Sequence, residues 1–341
     1  MKTYVAVLCL LLMPTPLLAH HSNAEYDRTQ IVEIEGNIVR VIWRNPHVGL
    51  ELDVAAPDGA RTRWVLGAAD LAGTLRRGVP EGIFQPGMAV TAAGYVSTRR
   101  EANMLVTNVL LPDGVEVLLT GFSEPRWSQQ LVGGGNWVTA AAEGEGGTAR
   151  GLFRVWTLER TARPAFTQDP PLTPLARQAH LAYDTYDDPA LRCDPIGMPR
   201  IITRTGPHPV EFVDQGDTIL QRIEYFDAQR VIHLDQDRIP ENAPDSPLGY
   251  SIGHWEGDVL VVETAHVDYP YFDINGLEGA PQGPGARFTE RYYLGEDGSE
   301  LHMDITITDP ETFTTMVVAD DYSVWKWRPG IRIMPYACKT D

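Results

Sequence analysis

Residues 31–43, IVEIEGNIVRVIW, alternate: Val32, Ile34, Gly36, Ile38 and Ile42 fall on one face, Glu33 and Glu35 on the other. A period of two over this length predicts a half-buried strand, because successive side chains of an extended chain point to opposite faces. Gly36 gives that strand a place to bend. Working outward, HVGLELDVAA reads as a second strand, PDG as a turn and RTRWVL as a third strand. AADLAGTLRRG follows as a short helix closed by glycine, and MAVTAAGYVS and NMLVTNVLL complete five strands. Three strands, a helix and two strands in about 80 residues is the order of a small closed barrel. The expectation is an OB-like five-stranded β domain over residues 28–118. Such barrels bind oligonucleotides, sugars, proteins or nothing, so the fold assigns no task.

Downstream, residues 119–172 are a Gly/Pro-rich connector broken by GGGN, EGEGGTARG and QDPPLTP, with one strand, LFRVWTLER, that can belong to the second domain. GGGN at 133–136 reads as linker. Thr173 then offers an N-cap and Pro174 a first helical residue. Beyond Asp194, segments such as PVEFV, TILQRIEYF, QRVIHLD, YSIGHW, DVLVVETAHV, ARFTERYYL, ELHMDITIT and SVWKWR alternate with WEGD, GEDGS and TDPE turns. Regular short strands of this kind predict a lipocalin-like antiparallel barrel or sandwich over 173–341, with a cavity. The chain is therefore expected to be mostly β, in two domains.

At the other end, residues 1–19 carry Lys2 as their only charge, an apolar run from Val5 to Leu12, and MPTPLLA ending in Ala19. This is the order of a secretory signal cleaved near Ala19, and it predicts a periplasmic or secreted protein. No later run is long and apolar enough to span a bilayer, so no transmembrane segment is expected in the mature chain. Cleavage removes Cys9 and leaves Cys193 and Cys338, which in an oxidising compartment read as a disulfide, the alternative being two separate buried thiols. The formal charge of -18 becomes -19 without Lys2, spread along the chain with no basic stripe. Nucleic-acid binding is set aside on that ground.

AHHS followed by AEYD and a strand ending WRNPHV resembles the N-terminal domain of an uncharacterised family of secreted bacterial proteins. LRCDPIGMPR, YSIGHWEGDVLVVET, FTERYY, TDPETF and PYAC are similar to a second secreted family without an assigned activity. That second family often carries Gly-x-Pro-His before its Thr-Glu-Arg strand, whereas this chain has GLEGAPQGPGARFTER and no histidine there. The resemblances imply architecture and compartment and bring no chemistry.

Two constellations could carry function. Cleavage after Ala19 exposes His20, whose amine and imidazole, joined by a second imidazole, make a three-nitrogen site suited to copper. His47, stiffened by Pro46, is the expected third ligand. Cleavage one residue earlier gives Ala-His-His, with His21 completing a square-planar copper or nickel site. In the C-terminal domain, His233 with Asp235 and His254 with Glu256 lie two apart in strands, as positioned acid–base pairs would. Arg230 and Arg291 could hold a carboxylate or enolate, although Arg291 also suits a cross-strand ion pair. No phosphate loop, dinucleotide fingerprint or His-Glu-x-x-His helix is present. The leading expectation is a binding protein for a small apolar or amphipathic molecule, with copper at the N-terminus. The alternatives are a non-redox isomerase, hydratase or lyase using His254 or His233, and an interaction module. An apolar cavity favours the carrier, a dry cavity with convergent polar groups the enzyme, and a filled core the interaction module.

Overall fold

The computed structural model describes residues 25–56, 58–134, 151–161, 170–203, 208–274 and 277–339. The alternating stretch forms β1 (Val32–Ile42), whose first half pairs with β4 (Ala89–Val96) and second half with β2 (Gly49–Ala55). The hand-over occurs beside Gly36, where a Cβ would stand 2.8 Å from the Asp53 carbonyl oxygen, so only glycine admits the close approach. β3 (Arg61–Gly67) runs antiparallel to β2, β5 (Asn103–Leu110) antiparallel to β4, and a parallel β3–β5 pairing closes the five strands. Between β3 and β4 lies α1 (Leu71–Arg76), started by Asp70, whose carboxylate accepts the Gly73 N–H at 2.6 Å. Ile38, Leu50, Leu52, Leu66 and Val106 fill this barrel.

Two short strands extend the sheet past the barrel: β6 (Glu116–Leu118) on β5, and β7 (Leu131–Gly133) parallel to β6. GGGN therefore begins on a strand end, not in a linker, and three residues are too few to show a period. The fully buried Glu116 carboxylate holds this return, accepting the backbone N–H groups of Arg126, Trp127 and Ser128 and the Asn108 amide.

The second barrel is closed by nine strands, so the sandwich alternative falls away. In ring order they are β8 (Val155–Thr161), β9 (Val210–Asp214), β10 (Thr218–Ile223), β11 (Ala228–His233), β12 (Tyr250–Glu256), β13 (Val259–Ala265), β14 (Arg287–Leu294), β15 (Glu300–Thr308) and β16 (Val317–Lys326). Every pairing is antiparallel except β11–β12. Large buried side chains occupy its core, among them Trp156, Phe212, Tyr292, Tyr322 and Trp325.

α2 (Pro174–Ala182) starts at Thr173, whose hydroxyl accepts the Ala176 N–H at 3.3 Å. α3 (Arg200–Thr203) lies on the approach to the second barrel. The C-terminal tail then returns to the first domain. Tyr336 and Ala337 donate their N–H groups to Asp227 at 2.8 and 2.9 Å, and the Asn45 amide donates to the Tyr336 carbonyl. Cys193 and Cys338 sit at bonding distance, Cα atoms 5.6 Å apart, pinning the tail to the segment before α3.

Candidate functional site

The residues singled out in the C-terminal domain do not converge on a cavity. Arg230 lies inside the barrel, 2% exposed. Its guanidinium grips Glu290 with two bonds of 2.7 and 2.8 Å, and its remaining N–H groups go to Ser251, Gln221 and Thr264. All five donors are spent, so Arg230 is a structural cation and not a clamp for substrate. His254 is exposed on the outer face, 3.3 Å from Glu256, which in turn pairs with Arg291 at 2.9 Å. His233 is half-buried and stacks on Tyr250 with ring centroids 4.8 Å apart, while Asp235 is exposed just past the end of β11. His266 is paired with Asp245 at 3.1 Å.

The parity of β12 explains the displacement. Ser251 contacts Arg230 in the core, so residues 251, 253 and 255 face inward and His254 outward. At the end of the strand the inward face opens on the barrel mouth, and there Trp255 is 42% exposed. It meets Phe153 edge-on at 6.3 Å. Phe153, Trp255, Val259, Tyr292, Tyr293 and Leu301 line a recess of about 550 Å³, with Asp258 among them as the carboxylate. The floor is anchored, since the Tyr292 hydroxyl donates to Glu290 at 2.8 Å. Burial, then the Glu290 charge, pushes the Tyr292 phenol well above its ordinary range. The phenol therefore stays protonated and can hold that bond. Beside the recess, Tyr293 donates to Asp304 and Asp321 at 3.2 and 3.0 Å and stacks on His302, whose Nδ1 lies 2.7 Å from Asp321.

A second polar group forms where the domains meet, and it contains His47. Burial holds the His47 imidazole below the ordinary histidine range, against the opposing charges of Asp70 and Asp188. As a whole residue His47 lies at the surface, between half-buried Pro46 and buried Val48. Behind Asp70 stands His208, 3% exposed, with Nε2 3.9 Å from Asp70 Oδ1 and Nδ1 3.2 Å from Glu224. Tyr225 stacks on its ring at 5.0 Å and Tyr336 meets it edge-on at 5.2 Å. Arg76 of α1 binds Glu224 across the junction, with one bond of 2.7 Å. Arg200 binds Asp188 at 2.7 and 3.0 Å and Asp273 at 3.1 Å.

Sequence reasoning had His47 and missed Asp70, Asp188, Arg200, His208 and Glu224. A histidine set between two prolines, Pro207 and Pro209, was the one available signal. His20 and His21 lie outside the described residues. Among the described residues no three His, Cys, Asp or Glu side chains converge tightly enough to hold a metal ion, so His47 has no described co-ligands for copper. No described helix is long and apolar enough to cross a membrane.

Residues 8–105 match a family of unknown function, DUF6152. That stretch spans β1 to β4 and the opening of β5, so the similarity covers nearly all of the first barrel and stops short of the second. Among curated proteins none matches the chain.

Proposed function

We propose that this protein is an exported binding protein for a small amphipathic molecule with an aromatic or alicyclic body, held at the mouth of the second barrel. The observation that supports the reading is the recess of about 550 Å³ walled by Phe153, Trp255, Tyr292, Tyr293 and Leu301. Its volume lies within the range of small-molecule sites, about 300–1,000 Å³. Trp255 packs edge-on against Phe153 and still leaves 42% of its surface open, apolar area that a ligand covering it would bury. Large side chains fill the described interior, the condition that favours an interaction module, so the carrier reading rests on the recess at the mouth and not on a lipocalin-like central cavity. The outward His254 and the spent Arg230 weigh against the acid–base alternative built on those residues.

The neutral fluorophore N-phenyl-1-naphthylamine tests it. It should bind saturably and quench Trp255, and Trp255→Ala should weaken it about tenfold, equivalent to about 1.4 kcal/mol. His254→Ala, on the opposite face, should leave binding unchanged. Equal affinity in wild type and Trp255→Ala would place the ligand elsewhere.

A further inference from the structure

The recess at the mouth of the second barrel carries a single charge. Apart from its glycines, the lining is aromatic or aliphatic, and Asp258 is the sole carboxylate on it, with no described cation beside it on the wall. The two tyrosines spend their hydroxyl protons elsewhere, Tyr292 on Glu290 at 2.8 Å and Tyr293 on Asp304 and Asp321 at 3.2 and 3.0 Å. That leaves the Trp255 indole N–H as the one side-chain donor on this wall and Asp258 as its strong acceptor.

Asp258 is also unspent. Glu256, two residues earlier, is engaged by Arg291 at 2.9 Å and His254 at 3.3 Å, whereas the Asp258 carboxylate pairs with no described residue. Arg154, next to Phe153 in the chain, does not neutralise it. That guanidinium donates to the Gly151 and Gly298 carbonyls at 2.8 and 2.7 Å and lies over the Trp156 ring at 4.4 Å. Asp258 is moreover held in place, because Glu256 and Val259 pair across a two-residue turn that Gly257, with φ +62°, allows. An anionic ligand would meet this carboxylate and the formal charge of -18 on the whole chain. A cation is drawn by both.

The rings on the same wall select the kind of cation. Trp255 and Phe153 meet edge-on at 6.3 Å, and the face of an aromatic ring, tryptophan above all, attracts a positive charge lying within about 6 Å of its centre. A primary ammonium brings three N–H donors, and this wall offers one carboxylate to replace the water it would lose. An alkylated ammonium sheds that water readily and presents methyl groups to the rings. We infer that the ligand of this recess is a small organic cation, a tertiary or quaternary ammonium whose charge is shared between the Trp255 and Phe153 rings and the Asp258 carboxylate. The inference rests on the recess being the binding site and adds the charge of the molecule it takes.

The test uses the full chain and the displacement of N-phenyl-1-naphthylamine by two molecules of the same shape, phenyltrimethylammonium and neutral tert-butylbenzene. The cation should bind about fivefold tighter than its neutral counterpart. Asp258→Asn, a residue that suits a turn, should weaken the cation about fivefold and leave the two neutral compounds bound as before. Glu256→Gln, which removes a neighbouring charge already paired with Arg291, should leave all three unchanged. Equal or tighter binding of tert-butylbenzene, no loss in Asp258→Asn, or the same loss in Glu256→Gln would each overturn the cation assignment, while retained N-phenyl-1-naphthylamine binding kept the recess as the site. Failure of all three compounds to bind saturably would overturn both. The wild-type comparison needs no variant, so the assignment stays testable whatever Asp258→Asn does to folding.

Discussion

Arg230 spends all five N–H donors inside the second barrel, two of them on Glu290, and both residues are fully buried. A charge in that position is tolerable only while its partner remains. Glu290→Gln should cost about 3–5 kcal/mol, whereas a double replacement by apolar residues of similar volume should recover much of that loss. Urea unfolding of the two variants checks the contrast. If Glu290→Gln unfolds within about 1 kcal/mol of wild type, water reaches the pair. At this scale the sequence named the right residue for the wrong task. Arg230 announces a positive charge, but its meaning depends on Glu290, sixty positions later in the chain and held opposite by the register of β13 and β14. His254 was misassigned for a simpler reason. Period two places it opposite Trp255, and the strand's own letters do not say which parity faces in until Ser251 is seen against Arg230.

Among the elements, those with long sustained periods were legible. β1 alternates from Val32 to Val39, before its register shifts ahead of Arg40, and α2 carries its start signal at Thr173. β7 was not, because its three residues pair with a strand already in place and owe their position to Glu116. That carboxylate gathers three consecutive backbone N–H groups and one amide, and these bonds outweigh burial in holding it below the ordinary glutamate value of 4.5. A folded-state pKa depressed in this way adds stability that is present above about pH 4.5 and is lost as the pH falls through the lower folded value. Wild type should therefore lose urea resistance between pH 5 and about pH 3 more steeply than Glu116→Gln. Parallel curves for the two proteins would show that Glu116 titrates alike in the folded and unfolded chains.

The whole molecule is two barrels joined by a latch. Both barrels could be read from strand spacing, since closure depends on many short strands whose alternation is local. The junction could not, because Asp70, His208 and Tyr336 come from three distant parts of the chain and meet only after the barrels pack. The cysteine pair was the sole hint that the tail returns. Its loop of 145 residues is worth at most about 5 kcal/mol in the chain-entropy picture. Cys193→Ser should lower thermal stability and, separately, make the bonds beyond Arg328 open to a protease while both barrels stay intact. Uniform protection of the tail in Cys193→Ser would show that its bonds to Asp227, Asn45 and Glu224 hold it without the disulfide.

The hydrogen bond from Asn45 to Tyr336 spans almost the entire chain, and the Leu71 N–H is bonded to the same Asn45 side chain at 2.9 Å. The start of α1, and with it Asp70, is thus steadied by a residue that is made after every strand of both barrels. A polypeptide cut short before Tyr336 would still possess every described strand of both barrels, yet lack the brace at the start of α1. Tyr336 thus acts as a late seal: until it arrives, this chain has its architecture but not that brace.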